Sequence, residues 1–122
     1  MHPLRILIAE DEAVIAMLLG EVLTGLGHHI CETVMTAEEA VTAALNHKPD
    51  LIIADAGLRE SSGVDAVAAI LKTGPVPHIF MSGDKAAVLA QRPGALVIEK
   101  PFDEDALIAA IDRAVDAQPF VG

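Results

Sequence analysis

The chain has few cysteines, few aromatic residues and no long apolar stretch, and each shortage excludes a class of protein. A single cysteine, Cys31, cannot form an internal disulfide, so a reducing compartment is expected. With no tryptophan, no tyrosine and three phenylalanines, the core must be mainly aliphatic. No apolar run reaches the ~20 residues that span a membrane, and the first residues lack the apolar segment of a signal peptide. We therefore expect a cytoplasmic protein that does not enter membranes.

Basic residues are also scarce. Eight lysines and arginines oppose 18 acidic residues, which gives a net charge of −10. Such a surface disfavours direct binding to DNA or to anionic membranes. It is compatible with an ordinary acidic surface or with a basic patch on a protein partner. Hydrophobic residues make up 52% of the chain, enough for one core, so a single domain over residues 1–122 is expected.

Short apolar runs alternate with longer segments of helical periodicity. Apolar residues three and four positions apart predict helices between the runs, and the segment 84–91 leaves room for only a short fourth helix. This alternation predicts an α/β domain, a doubly wound five-stranded parallel sheet with helices on both faces. The runs are continuously apolar, as strands buried on both faces are. The predicted strands are 4–9, 29–34, 51–54, 78–81 and 95–98.

Local signals mark several helix ends. Thr36 and Glu39 have the spacing of a capping box, and Gly27 is placed to end the first helix in a left-handed conformation. Asp103 is placed to cap the last helix, and the tail from Gln118 to Gly122 is expected to fray. The residues expected to face inward are Ile15, Leu18, Leu19, Val22 and Leu26 in the first helix, and Leu107, Ala110, Ile111, Ala114 and Val115 in the last.

Charged or polar residues follow four of the predicted strands. Glu10 and Asp11 follow the first, Asp55 the third, Ser82 the fourth and Lys100 the fifth. The carboxyl ends of parallel strands lie along one edge of the sheet, where ligand sites form. Each residue alone would be an ordinary cap, turn or surface residue, but the joint pattern predicts that they converge on one site.

The residue types at this edge indicate a cation and an anion. Neighbouring acids repel one another unless a hard cation such as Mg²⁺ lies between them. Asp55 is the candidate nucleophile, because a carboxylate that attacks phosphorus gives an acyl phosphate. Mg²⁺ held by Asp11 and Asp55 would neutralise phosphoryl oxygens from one side and Lys100 from another, while Ser82 would donate a hydrogen bond.

Together these motifs resemble the receiver domain of two-component response regulators. The resemblance rests on the segments 6–12 and 48–55, on Gly63 and Ser82, and on the segment 100–102. It covers nearly the whole chain and implies a flavodoxin-like sheet with strand order 2-1-3-4-5. It also implies a phosphorylation-dependent signalling switch rather than an enzyme, apart from catalysis of its own phosphorylation and dephosphorylation.

The resemblance assigns roles residue by residue. It implies that Asp55 accepts a phosphoryl group from the phosphohistidine of a sensor histidine kinase or of a phosphotransfer protein. Mg²⁺ would be bound by Asp55, by Asp11 directly, by Glu10 through water and by the carbonyl of Gly57. The phosphoryl contacts would come from Ser82 and Lys100.

The chain departs from the usual receiver pattern at four places. Glu10 stands where the family usually has Asp, and Arg59 where it often has proline. Val97 stands where an aromatic switch residue is common, so coupling through aromatic burial cannot operate in that form. The stretch from Ser82 to Lys100 is short, which implies a shortened fourth helix.

This short stretch resembles one receiver subfamily, named for a Phe-Ala-Thr-Gly-Tyr sequence. Phe80, Ser82 and Gly83 fit that motif, whereas Met81 and Asp84 stand where it has Ala and Tyr. The resemblance implies signalling through a remodelled face at the fourth and fifth strands, with kinases of the HWE type as partners.

The sequence thus favours a switch that passes its signal to a downstream protein by direct contact, without direct DNA binding. Two alternatives remain open. The first is a small Mg²⁺-dependent phosphohydrolase, although such enzymes place the nucleophile after the first strand and add a cap for which this chain has no room. The second is a pseudo-receiver that only binds partners, although loss of Asp55 or Lys100 would be its signature and both are present.

Overall fold

The computed structural model describes residues 2–116, and within that range the elements alternate as the sequence predicts. The strands are β1 Arg5–Ala9, β2 His29–Val34, β3 Leu51–Asp55, β4 Gly57–Leu58, β5 Ser61–Ser62, β6 His78–Ser82 and β7 Val97–Glu99. The helices are α1 Ala13–Gly25, α2 Ala37–His47, α3 Gly63–Leu71, α4 Lys85–Gln91 and α5 Glu104–Asp116. The tail for which fraying is expected lies outside the described residues.

Five of the strands form one parallel sheet in the order β2-β1-β3-β6-β7. This is the predicted order 2-1-3-4-5, because β4 and β5 form a separate antiparallel hairpin. The central strand β3 pairs with β1 on one side and with β6 on the other, and Asp55 faces Met81 in the second pairing. The doubly wound parallel sheet is therefore confirmed.

Each face of the sheet carries its own apolar layer, because successive side chains of a strand point to opposite faces. Ile6 and Ile8 of β1 pack with Leu19, Leu23 and the inner residues of α5. Leu7 and Ala9 pack on the other face with α2 and α3. The central strands are buried on both faces, which explains why they are continuously apolar in sequence.

The predicted helix caps are confirmed. Thr36 Oγ1 accepts a hydrogen bond of 3.1 Å from the Glu39 N–H, as in a capping box, whereas the Glu39 carboxylate accepts from the Met35 N–H, one residue before the cap. Gly27 has φ +97°, a positive φ that glycine adopts without strain at the end of a helix. Asp103 Oδ1 accepts a hydrogen bond from the N–H two residues on, at the start of α5.

Several details of the prediction were wrong. Leu18 is 45% exposed and Val115 is exposed, because α1 and α5 each bury a narrower stripe than the apolar pattern suggests. In α1 the inner face is formed by Ala16, Leu19 and Leu23. The last strand covers 97–99 rather than 95–98, and the short hairpin was not predicted.

The fourth helix is short, as predicted, with seven residues.

Across the part of the chain that the structure describes, every helix is too short or too polar to cross a membrane.

Candidate functional site

The site lies at the carboxyl edge of the sheet, where main-chain hydrogen bonds fix the residues that follow β1 and β3. The Glu10 N–H donates to the carbonyl of Val34 in β2 at 2.9 Å. Asp55 is the last residue of β3, and the next N–H, of Ala56, donates to the carbonyl of Met81 at 2.9 Å. The Asp55 side chain is therefore positioned by a buried strand rather than by a loop.

Lys100 reaches across this edge to two carboxylates. Its Nζ lies 2.6 Å from Asp55 Oδ2 and 2.8 Å from Glu10 Oε1. Its main-chain N–H donates to the carbonyl of Ser82 at 2.9 Å, which fixes the start of the lysine side chain beside β6. The lysine side chain is only 17% exposed, so water screens both ion pairs weakly.

Three carboxylates meet beside the lysine. One oxygen from each of Glu10, Asp11 and Asp55 lies within 4.8 Å of the other two. Two of these side chains are held by main-chain donors on the same loops. Asp55 Oδ1 accepts from the Gly57 N–H, and Glu10 Oε2 accepts from the Glu12 N–H, each at 3.1 Å.

Burial raises the pKa of Glu10 from 4.5 to about 7, because the fold removes water from the carboxylate. The ammonium of Lys100 and the Glu12 N–H oppose that rise, and the nearby Asp55 adds to it. Burial also disfavours the charged form of Lys100, but its contacts with Asp55 and Glu10 outweigh this effect and raise its pKa. Lys100 is thus held charged between two acids.

The donor set fits a hard divalent cation such as Mg²⁺. All three acids offer oxygen ligands, the class that this cation prefers. Glu10 Oε1 is fully buried and touches the lysine as an ion pair, but no hydrogen bond of good geometry reaches it. A buried carboxylate oxygen with unused acceptor capacity is unfavourable unless a charge compensates it. Acids, lysine and burial together describe a site for a cation and an anionic group.

Comparison with known proteins identifies the family. Residues 6–112 match the family described as "Response regulator receiver domain". This chain belongs to that family. The likeness of the motifs to receiver domains, expected from the sequence, is thereby confirmed; the Phe-Ala-Thr-Gly-Tyr subfamily stays a prediction.

Individual relatives agree. The receiver is 44% identical over 115 residues to the phyllosphere-induced regulator PhyR of Methylorubrum extorquens, covering 91% of this chain and 43% of PhyR. It is 38% identical over 117 residues to the transcriptional regulatory protein PdtaR of Mycobacterium tuberculosis, covering 93% of this chain and 57% of PdtaR. The chain thus spans about half the length of these two relatives. Both are regulatory proteins rather than metabolic enzymes.

Solved structures show the same likeness. The solution NMR structure of the PhyR receiver domain of Erythrobacter litoralis gives a TM-score of 0.90 at 36% identity, covering 100% of this chain and 97% of that one. PhyR from Brucella abortus gives 0.87 at 32% identity, covering 94% of this chain and 49% of that one. The chain is therefore a receiver domain in fold as well as in sequence.

The remaining predicted site residues of this receiver lie around the acids. Ser82 ends β6, one residue beyond the Met81 that faces Asp55, and is nearly buried. Gly57 contacts Asp55 through its N–H, whereas a role for its carbonyl as a metal ligand stays a prediction. The structure thus brings Glu10, Asp11, Asp55 and Lys100 into one cluster, with the other two beside it.

Sequence reasoning missed one contact at the site. Ser82 Oγ accepts a hydrogen bond of 2.9 Å from the main-chain N–H of Asp84, and Asp84 is also the N-cap of α4. The signal was present, because serine, glycine and aspartate in succession before a helical segment are typical of a turn that leads into a capped helix. In the sequence, Asp84 stands out only as a departure from the subfamily motif.

Proposed function

We propose that this receiver is a phosphorylation-dependent switch in which Asp55 accepts a phosphoryl group from a sensor histidine kinase or a phosphotransfer protein, with Mg²⁺ bound. The observation that supports this most is the position of Lys100, whose Nζ contacts Asp55 Oδ2 at 2.6 Å and Glu10 Oε1 at 2.8 Å. A largely buried cation beside a nucleophilic carboxylate suits an incoming anion better than it suits a structural ion pair alone.

In the proposed reaction, a carboxylate oxygen of Asp55 attacks the phosphorus of a phosphohistidine. A P–O bond forms, the P–N bond breaks and the electron pair returns to the imidazole of the donor. The Gly57 N–H holds Asp55 Oδ1, which fixes the plane of the attacking carboxylate. Lys100 would contact the phosphoryl oxygens and neutralise their charge, and Ser82 would donate a hydrogen bond to one of them.

A bound Mg²⁺ would supply charge neutralisation for the incoming phosphoryl oxygens. Glu10, Asp11, Asp55 and the carbonyl of Gly57 would hold it, Glu10 through water. These acids repel one another in its absence, so we expect metal binding to precede phosphorylation.

The output would be contact with another protein, with the phosphotransfer taking place in the cytoplasm. A structure of PhyR from Bartonella quintana carries the description "anti-anti-sigma factor", which names a function exercised through a protein partner. The likeness to PhyR supports a comparable output here, and the resemblance to the Phe-Ala-Thr-Gly-Tyr subfamily supports a kinase of the HWE type. Profiling phosphotransfer from a panel of phosphorylated kinases would test the donor.

Phosphorylation itself can be tested with acetyl phosphate and Mg²⁺, followed by intact mass spectrometry. We expect the unmodified chain to gain one phosphoryl group and Asp55→Asn to gain none. Asp65→Asn is the matched control, because Asp65 is an exposed acid of α3 and should leave the reaction unchanged. Equal labelling of the unmodified chain and Asp55→Asn, or labelling that survives chelation of Mg²⁺, would contradict the proposal.

A further inference from the structure

Asp84 connects the hydroxyl of Ser82 to the first turn of α4. Its main-chain N–H donates to Ser82 Oγ at 2.9 Å. Its own side chain caps the helix, because Oδ1 accepts from the Ala87 N–H at 3.1 Å. One residue therefore contacts both a predicted phosphoryl-binding hydroxyl and the helix that follows it.

The main chain around Ser82 has little freedom to move. Ser82 is paired with Glu99 in the sheet, and its carbonyl accepts from the Lys100 N–H at 2.9 Å. The hydroxyl is the part of Ser82 that can change orientation, by rotation about the Cα–Cβ bond. A hydroxyl offers one proton and two acceptor sites, and the Asp84 N–H occupies one acceptor site, which leaves the proton for another partner.

The capping bond matters because α4 is short. A helix of seven residues gains little from its own main-chain bonds, so an N-cap worth ~1 kcal/mol is a large share of its stability. Loss of the Asp84 carboxylate would free the Ser82–Asp84 turn as well as the helix start.

We infer that Asp84 is a positioning residue for the switch: its side chain, by capping α4, holds its N–H against Ser82 Oγ, so that the hydroxyl proton is free to donate to the phosphoryl group. This inference rests on the proposed function of Asp55. When the hydroxyl donates, its oxygen becomes a better acceptor, so the bond from the Asp84 N–H strengthens. The phosphoryl group would thereby tighten the start of α4 directly. This route requires no aromatic side chain at Val97.

The test is a titration of the full chain with beryllofluoride and Mg²⁺, which mimics the phosphoryl group, monitored by NMR. Asp84→Ala removes the cap and should weaken beryllofluoride binding by about three- to ten-fold, the range expected when one hydrogen bond loses its fixed geometry. Asp84→Asn should bind as the unmodified chain does, because asparagine caps as well as aspartate. Ala90→Gly is the matched control, since Ala90 is an exposed residue of α4 outside the turn that Asp84 closes onto the Ala87 N–H.

The Asp84 amide proton gives a second readout, which a general loss of helix stability would not change. It should move downfield when beryllofluoride binds, and Ser82→Ala should move it upfield and remove that response.

Several outcomes would overturn the inference. They are binding by Asp84→Ala equal to that of the unmodified chain, an equal loss in Ala90→Gly, or an Asp84 amide that moves upfield when beryllofluoride binds. If the unmodified chain bound no beryllofluoride, or bound it equally with Asp55→Asn, the proposed function would fail too. Normal binding by the unmodified chain with no effect of Asp84→Ala would contradict the inference alone.

Discussion

Gly63 lies directly against the carbonyl of Asp55, so closely that a Cβ on Gly63 would overlap that oxygen and its carbon. Gly63 is the first residue of α3, and its N–H donates to the carbonyl of Ala56 at 2.9 Å. The helix start thus packs against main-chain atoms that cannot rotate away. The glycine is needed for this close approach and not for its main-chain conformation, since its φ lies outside the left-handed region.

We predict that Gly63→Ala lowers the free energy of unfolding by about 1–3 kcal/mol, because the new methyl group must push the main chain of Asp55 aside. Chemical denaturation measures the change. The same variant should be phosphorylated more slowly, since the acceptor carboxylate is displaced. Gly20→Ala is the control, because Gly20 lies within α1 with open space around it and should gain about 0.5–1 kcal/mol. Equal stability of Gly63→Ala and the unmodified chain would contradict the packing argument.

Replacement of Lys100 should affect metal binding and phosphorylation in opposite directions. Lys100→Met removes the positive charge from beside the acids, so Mg²⁺ affinity at pH 8 should rise by about ten-fold, which corresponds to the loss of a partly buried repulsion of ~1.4 kcal/mol. Labelling by acetyl phosphate should fall sharply, because the phosphoryl oxygens lose their cation. Isothermal titration and mass spectrometry measure the two effects.

Lys72→Met is the control for this pair of measurements. Lys72 is an exposed lysine at the end of α3, so its replacement changes the net charge equally without altering the site. A decrease in Mg²⁺ affinity in Lys100→Met would show that the lysine supports the metal site instead of competing with it.

The raised pKa of Glu10 predicts that the stability of the metal-free protein depends on pH. The pKa of Glu10 in the fold is about 7, above the ordinary 4.5. As the pH rises, the Glu10 carboxyl group therefore loses its proton at a lower pH in the unfolded chain than in the folded one. Its contribution to stability is therefore complete below pH 4.5 and is lost as the pH rises through about 7. The loss should be at most about 3 kcal/mol. Chemical denaturation of the metal-free protein at pH 5 and pH 8 measures it.

Glu10→Gln should abolish this part of the slope, since glutamine does not titrate. Glu12→Gln, an exposed neighbour, should retain it. The assignment to Glu10 would be wrong if both variants kept the slope of the unmodified chain.

The lowered pKa of His28 predicts that stability changes with pH in the opposite direction. His28 is 4% exposed, its Nδ1 accepts from the Leu4 N–H at 3.0 Å, and burial lowers its pKa below 6.5. The unfolded chain therefore binds the proton more readily, and stability should fall as the pH drops below 6.5. Measured in a Glu10→Gln background, His28→Gln should reduce this fall, while the exposed His29→Gln should not. An unchanged fall in both variants would exclude His28 as the cause.

The periodicity of the chain was sufficient to predict the α/β class and the residues at the carboxyl edge of the sheet, whereas the strand order was implied by the resemblance to receiver domains. Buried parallel strands must be apolar throughout, and each ends where the chain leaves the core, so Glu10, Asp55 and Ser82 are visible as polar residues after apolar runs. The spacing of apolar residues along a helix was a less reliable predictor of which side chains are buried. Leu18 follows the helical period but is exposed, because the width of a buried stripe depends on what packs against it.

The sequence by itself determined which residues gather at one edge, since the direction of parallel strands places their ends together. Only the tertiary structure decided how those residues interact. Lys100 bridges Asp55 and Glu10, and Gly63 packs on the Asp55 carbonyl, through contacts between residues up to 90 positions apart. The shift in the pKa of Glu10 also depends on such contacts, because burial and neighbouring charges arise only when the loops of several strands pack together.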